Sequence, residues 1–526
     1  MTTTAASSER SDASVPRMSR RQVLEALSGL LVGMFVSVLA ATIVSNALPR
    51  IIADLNGSQT VYTWIVTTEL LAMTATVPLW GKMADLYSKK LLIQLALALF
   101  GIGSLIAGLT PNVEVLVASR IVQGIGAGGM IALSTIVLAA MIPPRELGRY
   151  AGVFGAVFGI GTIIGPLVGG LLVDTDWLGW RWCFLIGVPF TVVSIVLLQR
   201  TLQLPVVRRE VRIDWLGALL ITAGVSVLLI WSSLAGNNFP WVSGWTAAMV
   251  TAGVVLLALA VLVEARAAEP IIPLRLFRNR TIALATLASA FVGVAMFGST
   301  VFLSQYFQLS LGKSPTVAGF MSLPMVFGTL VSSTLAGQLI TKYGRWKAYL
   351  VAGGVLTAAG MALLSTVDAR TSMLVLSGHM VVLGVGVGLL IQNLVLAAQN
   401  DVAAHDLGVA TSVVTFFRSM GGAIGVSALG AVLANRVTAG LTERLGAVAA
   451  SGDGGTAKVP NLAELPAPVR QIVQEVYASA TAELFLVAAP IALLGLIAIL
   501  FIKEKPLHTL SGTERLAQEE GLPSLH

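Results

Sequence analysis

The chain has 526 residues, of which 11% are charged and 56% apolar, and its mean hydropathy is +0.86. An ordinary soluble domain carries about 25% charged residues. A disordered chain and a nucleic-acid module are excluded, and a soluble enzyme is strongly disfavoured. The net charge of +7 is expected to lie in lysines and arginines that mark cytoplasmic loops. The single cysteine, Cys183, excludes an intrachain disulfide and a Cys-based zinc site.

Residues 1–22 are polar and end in Arg17, Arg20 and Arg21. The apolar stretch that follows, to Leu48, is too long for the core of a signal peptide and reads as a retained first span. From there, apolar segments long enough to cross about 30 Å of hydrocarbon recur to the end. They predict fourteen spans, centred near 35, 71, 100, 127, 161, 191, 224, 254, 295, 328, 357, 386, 421 and 491. With the N-terminus inside, 23 Lys/Arg fall on the cytoplasmic side and 8 outside, with Arg120 and Arg418 inside spans. Four of the outer eight (Arg436, Arg444, Lys458, Arg470) share one loop, so the short outer loops carry little positive charge. This asymmetry predicts an even number of spans with both termini cytoplasmic.

Span 2 carries Glu69 and span 4 carries Arg120. Counted inward from Tyr62 and Asn112, both sit roughly 10–12 Å below the outer edge, so they match in depth. A buried carboxylate is harder to ionise than an exposed one, and a nearby arginine opposes that effect. A change in their separation would therefore load and release a proton; the plainer alternative is a static ion pair. After span 2 comes Gly81-Lys82-Met83-Ala84-Asp85-Leu86-Tyr87-Ser88-Lys89-Lys90. Gly81 permits a tight turn. Asp85, the one acid, is suited to accept from a neighbouring helix N-terminus or to pair with a base. A similar segment starts at Gly337, at an offset of 256. If spans 1–6 repeat as spans 9–14, spans 7 and 8 are an inserted pair.

In span 4, Gly124, Gly126 and Gly129 satisfy the dinucleotide pattern, but inside an apolar span and without a preceding strand. Gly312-Lys313-Ser314 resembles the end of a P-loop, but Phe307 stands where its first glycine is required. With no ATPase signature, active transport would need an ion gradient. In span 5, Gly161, Gly165 and Gly169 share one face suited to close backbone approach, and Pro166 favours a kink. Span 9 offers Gln305 and Tyr306, and span 12 offers Gln392 and Asn393, as polar members of a mixed substrate cavity. Phe291, Phe297, Phe302 and Trp80 are candidate apolar walls. Arg418 lies near mid-membrane in span 13, placed either to meet substrate or to serve the structure. His379 in span 12 reads as a packing residue. The outer loop 437–478 is expected to end in a surface helix near 466–480, and Glu264–Arg280 to form a lateral helix or linker.

These segments resemble the major facilitator superfamily, and the fourteen spans resemble its drug:proton antiporter branch of EmrB/QacA type. Gly81–Ile93 is similar to the family's signature loop. Arg120–Gly129 is similar to its span-4 motif, and Gly161–Gly170 to its antiporter motif. Trp180-Arg181-Trp182 with Pro189, and Lys503 to Leu507, also fit. The resemblance implies proton coupling through Arg120. It also implies a conformational motif of Gly81, Asp85, Lys89, Gly161, Gly165, Pro166 and Gly169. Three positions depart from the pattern. Ala40 stands where the family's span 1 carries an embedded aspartate, Ser88 replaces a glycine, and Glu69 replaces a common Tyr or Thr. Glu69 is therefore expected to carry the proton, with Arg120 and Asp85 as coupling partners.

The resulting expectation is an all-α major facilitator fold: two six-helix bundles plus two inserted spans. Its parts are a cytoplasmic tail at 1–22, an N-terminal bundle at 23–200, a linker with two spans at 201–280, a C-terminal bundle at 281–503 and a cytoplasmic tail at 504–526. The expected function is proton-coupled efflux of amphipathic drugs or antibiotics across a bacterial cytoplasmic membrane. The expected partners are substrate, protons and membrane lipid, with no nucleic acid, no metal and no cofactor, in a monomer that is not an enzyme. An exporter of one endogenous metabolite or lipid, an uptake permease and a non-transporting sensor are the rival readings.

Overall fold

The computed structural model describes residues 20–55, 59–146, 178–202, 214–235, 239–267, 270–445 and 466–519, with isolated positions between 150 and 175. Among these, twelve helices are long and apolar enough to cross a membrane. Span 1 is Arg20–Asp54, span 3 Lys89–Gly108, span 4 Val113–Met141, and span 6 Gly187–Thr201 after a turn at Trp182–Leu185. Spans 7 and 8 are Trp215–Leu234 and Gly244–Glu264. Span 9 is Arg280–Gln305, continued by a π-turn at Tyr306–Ser310. Spans 10 to 14 are Leu323–Tyr343, Lys347–Leu364, Met373–Asn400, Leu407–Leu445 and Ala467–Leu500. Gln59–Leu86 adds span 2, whose 28 residues reach about 42 Å. Span 5 is described only in part, with helical residues at Gly161, Gly165 and Gly169, while Pro166 lies outside the described residues. The chain is thus an all-helical bundle accommodating fourteen spans.

Glycines set the packing, and they set it twice. On span 4, a Cβ at Gly124 would meet the Glu69 carbonyl and one at Gly128 the Met73 carbonyl, both on span 2. A Cβ at Gly126, between them, would meet Ala96 and Phe100 on span 3. Span 12 repeats this at an offset of 260. Gly384 meets Met325, Gly388 meets Thr329 and Ser332 on span 10, and Gly386 meets Leu356 and Thr357 on span 11. Small residues let helix backbones approach this closely. The same correspondence holds for Gly161 and Gly165 against span 1 and Gly421 and Gly425 against span 9. The two halves therefore share one internal architecture.

The repeat also explains Ser88. Its counterpart at the 256 offset is Gly344, which has φ +71° and closes span 10 in the left-handed region. Ser88 has φ −58° and needs no such freedom; its side chain caps span 3 by accepting from the Leu91 N–H.

Among the described residues, the apolar core is continuous across both halves near the face that carries the 82–90 loop. There Trp80, Leu133 and Ile136 belong to one cluster with Ile340, Leu394 and Val414. This face is called the basic face below. Toward the opposite face the core divides. Ile43, Ile51, Leu116 and Phe184 form one cluster, and Phe302, Leu376, Leu433 and Phe485 another. Spans 7 and 8 pack on each other, and span 7 also touches spans 2 and 13 at the seam between halves. Of span 8 only Gly253, Ala260 and Glu264 are buried, as expected of a helix that faces lipid.

Two expectations are corrected. The separate surface helix near 466–480 is the first part of span 14, which runs unbroken from Ala467. Val469, Ile472, Val473 and Val476 there pack into the same cluster as Val437 and Leu441, so the helices on both sides of the loop extend toward one another. The remaining loop, 446–465, lies outside the described residues. Of the two readings of Glu264–Arg280, the linker holds and the lateral helix does not: its described residues form a packed connection. Glu264 accepts from the Ile271 and Ile272 N–H groups, and a short 3-10 turn, Leu274–Arg278, follows.

Candidate functional site: a buried ion pair and a seam

Span 4 is buried along most of its length and brings Arg120 against span 2. The Arg120 guanidinium donates to the Glu69 carboxylate, to the Gln123 side-chain oxygen (2.5 Å) and to the Ile65 carbonyl (3.2 Å). Gln123 then donates to the Ser104 hydroxyl at 2.8 Å, and the Phe184 ring lies 5.7 Å from the guanidinium carbon. Four polar side chains from spans 2, 3 and 4 thus form one buried network. Its two charges differ in access: 12% of the Glu69 side chain stays exposed, against 3% for Arg120.

The repeat supplies a control within the same molecule. Glu69 corresponds to Met325, and Arg120 to Met380. Gly384 lies against the Met325 carbonyl as Gly124 lies against that of Glu69. One packing frame is therefore filled once by an ion pair and once by two methionines. Buried ion pairs are often replaceable by apolar side chains without loss of stability. The frame itself does not require Glu69 and Arg120.

Asp85 stands at the seam on the basic face. Its carboxylate accepts from the backbone N–H groups of Gly408 (2.8 Å) and Val409 (2.9 Å) at the start of span 13. That position combines unsatisfied N–H groups with the positive end of the helix dipole. Lys89 lies close enough to Asp85 for a direct charge interaction. Gly81, one turn earlier, admits Ser412 and the Gly408 carbonyl where a Cβ would collide. The repeat makes a weaker copy, with Arg145 donating to the Thr341 carbonyl at 3.3 Å.

The remaining residues separate into groups. Arg418 donates to the Ile391 carbonyl (3.2 Å) and has no acid partner among the described residues. Gln392 and Asn393 follow Ile391 directly on span 12, and the Asn393 amide is used within its own helix, on the Leu389 carbonyl. Gln305 and Tyr306 lie elsewhere, 12 and 13 residues beyond Gly293, the span-9 residue that packs on the Arg418 carbonyl. That is about 18 Å along the helix. Tyr306 is fully buried and donates to the Asp368 carbonyl at 2.6 Å, which makes it a fold contact. Asp368 sits in the loop after span 11, where Thr371 and the Arg370 N–H hold its carboxyl below the usual range. The Gln305 side-chain oxygen and the His379 Nδ1 are buried without a partner among the described residues. Trp80 donates to the Ile125 carbonyl (2.9 Å), and Phe302 is core. Ala40 is buried in the apolar core.

One role escaped the sequence. Glu504, inside the Lys503–Leu507 segment, accepts from the Trp346 and Lys347 N–H groups and caps span 11 from a distance. Its only sequence signal was the acid between two lysines.

The packing assigns one test. Gly124→Val would drive span 4 off span 2 and pull Arg120 from Glu69. The expected result is a destabilisation of about 1–3 kcal/mol from overpacking together with loss of transport, read by detergent thermal shift and vesicle flux. Unchanged values in both would contradict the close approach.

Two repeated helix bundles joined along one seam, with an ion pair buried in one of them, are the build of a secondary membrane transporter. The sequence matches the Major Facilitator Superfamily over residues 30–426, and the chain belongs to that family. It is 37% identical over 493 residues to an uncharacterized MFS-type transporter of Mycobacterium tuberculosis strain H37Rv, covering 93% of this chain and 70% of the relative. It is 34% identical to the multidrug transporter protein MdtP of Bacillus subtilis, covering 82% and 78%. The efflux pump dotC of Dothistroma septosporum is also 34% identical, covering 92% and 84%. Among solved structures, the proton:xylose symporter XylE superposes with a TM-score of 0.61 at 14% identity, covering 95% and 99%. The human organic anion transporter MFSD10 gives 0.59 at 14%, covering 89% and 99%. These two support the fold alone. The chain is a multi-pass membrane transporter.

Proposed function

We propose that this transporter exports amphipathic drugs or antibiotics in exchange for protons, with Glu69 as the proton site. The observation that carries the reading is the asymmetry of the repeat: Glu69 and Arg120 occupy a frame that Met325 and Met380 fill in the other half. An expensive ion pair that packing does not need is retained for what it does. The relatives described as multidrug transporters and efflux pumps support the direction and the substrate class.

The excess of lysines and arginines on the basic face supports a cytoplasmic location for it. The core shared on that face and divided on the other then corresponds to an outward-facing state. In it, a proton from outside neutralises Glu69 and removes its charge attraction for Arg120. The bundles rock about the seam, the cytoplasmic side opens, and the proton leaves as Glu69 recovers its charge beside Arg120. Substrate enters in exchange, and Arg418 with Gln392 forms the polar side of its path. One charge crossing 100 mV releases about 2.3 kcal/mol, which sustains a gradient of roughly forty-fold.

The test is proton movement in inverted vesicles, followed with a pH-sensitive dye and a panel of lipophilic cations and antibiotics. Substrate-evoked proton release from the lumen is expected. Substrate flux without proton movement would overturn the coupling, and proton movement of the opposite sense would make the protein an uptake permease.

A further inference from the structure

After span 14 the chain crosses the basic face and forms a short helix, Gly512–Glu519. Isolated helices of this length do not hold together in water, so this one depends on its caps and its docking. Its start is a reciprocal cap: Ser511 Oγ accepts from the Glu514 N–H, and Glu514 accepts from the Ser511 N–H.

Its docking partners lie in both halves. On the C-terminal half, the Arg515 guanidinium donates to the carbonyls of Gln399 (3.3 Å) and Val402, at the end of span 12. Glu519 accepts from the Ala404 N–H at 2.8 Å. On the N-terminal half, Thr513 donates to the Ala140 carbonyl at 3.0 Å, in the last turn of span 4. Gly512 packs so closely on Ala139 and Ala140, and on Leu407 of span 13, that a Cβ has little room. Spans 4 and 12 are counterparts in the repeat. The helix therefore bridges equivalent ends of the two bundles.

We infer that Gly512–Glu519 is a strap that holds the basic face closed and lets go of span 4 whenever that face opens. All of its bonds can exist together only at the present separation of spans 4 and 12. Among the described residues, the attachment to the N-terminal half is a hydroxyl bond and the Gly512 contact. The C-terminal half holds it through a buried arginine and a carboxylate. On opening, the strap stays with span 12 and releases Ala140, so its strength sets the resting balance between the two states. This depends on alternation between states and not on which compound or ion is carried.

The experiment is a distance measurement in lipid nanodiscs, without substrate. Spin labels are placed at Glu146→Cys and Lys342→Cys, on the two sides of the basic face, in a Cys183→Ser background. A short distance is expected to dominate. Ending the chain after Leu510, or introducing Gly512→Leu, is expected to raise the ratio of long to short distances at least fivefold. Thr513→Val removes one hydrogen bond and is expected to raise it by roughly two- to tenfold. Gln518→Ala, on the exposed side, should leave it unchanged. Distributions in the shortened chain and in Thr513→Val that superpose on the wild type would overturn the strap, whether or not Gly512→Leu folds. Transport lost with distances unchanged would count against it equally.

Discussion

Replacing Glu69 by Gln is expected to abolish substrate-evoked proton movement while the chain still inserts and folds. Gln keeps an oxygen for Arg120 but cannot take up and release a proton. Removing the arginine alone is a harsher change, since breaking a buried pair typically costs about 3–5 kcal/mol by leaving one charge uncompensated. Arg120→Met is therefore expected to lower thermal stability as well as flux. The double change, Glu69→Met with Arg120→Met, copies the residues of the second half, Met325 and Met380. It is expected to recover most of the stability lost in Arg120→Met and none of the proton coupling. Thermal unfolding in detergent and dye-monitored flux in inverted vesicles separate the two effects. Proton-coupled efflux that survives in the double variant would remove this pair from the mechanism.

Asp85→Asn is expected to have the next largest effect, and in the opposite part of the cycle. The Asp85 carboxylate holds two backbone N–H groups at the start of span 13, at 2.8 and 2.9 Å. Hydrogen bonds to a charged group contribute about 1.5–3 kcal/mol each, and Asn offers one acceptor oxygen without the charge. Losing one such bond moves the balance toward an open basic face by about tenfold or more. Transport falls because the state closed on the basic face is depleted, not because substrate binds poorly. Cysteine accessibility at the basic-face end of span 13 should rise, while Glu69 and Arg120 stay paired. Accessibility equal to that of the wild type would show that Asp85 does not hold the seam. Asp85→Glu tests geometry against charge, since it keeps the charge but lengthens the arm.

Much of the fold was legible in the sequence, because a span must be apolar over its whole length and each loop must carry its charges to one side. The repeat was legible at Gly81 and Gly337. The second glycine run, Gly384, Gly386 and Gly388, is just as visible, but its meaning depends on which backbones approach, and that is a property of pairs of helices. Depth was also readable, as Glu69 and Arg120 show, because rise per residue is fixed. Azimuth was not. Tyr306 and Gln392 look alike as polar groups in apolar spans, yet Tyr306 is consumed by the Asp368 carbonyl while Gln392 lies beside the Arg418 contact. The length of span 14 was hidden for another reason: the Pro466 side of the loop is polar enough to read as surface, and its apolar stripe gains its partners from span 13 and the π-turn of span 9.

The glycine contacts also say where this protein can bend. Spans 2, 3 and 4 touch backbone to backbone, as do spans 10, 11 and 12, and such contacts cannot slide without collision. Each triplet is in effect a stiff plank. Flexing is left to the boundaries between such blocks, among them the line where Asp85 and Gly81 of span 2 meet Gly408 and Ser412 of span 13. A compound wedged into that line would jam the cycle without competing for the cargo's berth, so resistance to such an inhibitor should arise at the pivot and leave the choice of cargo unaltered.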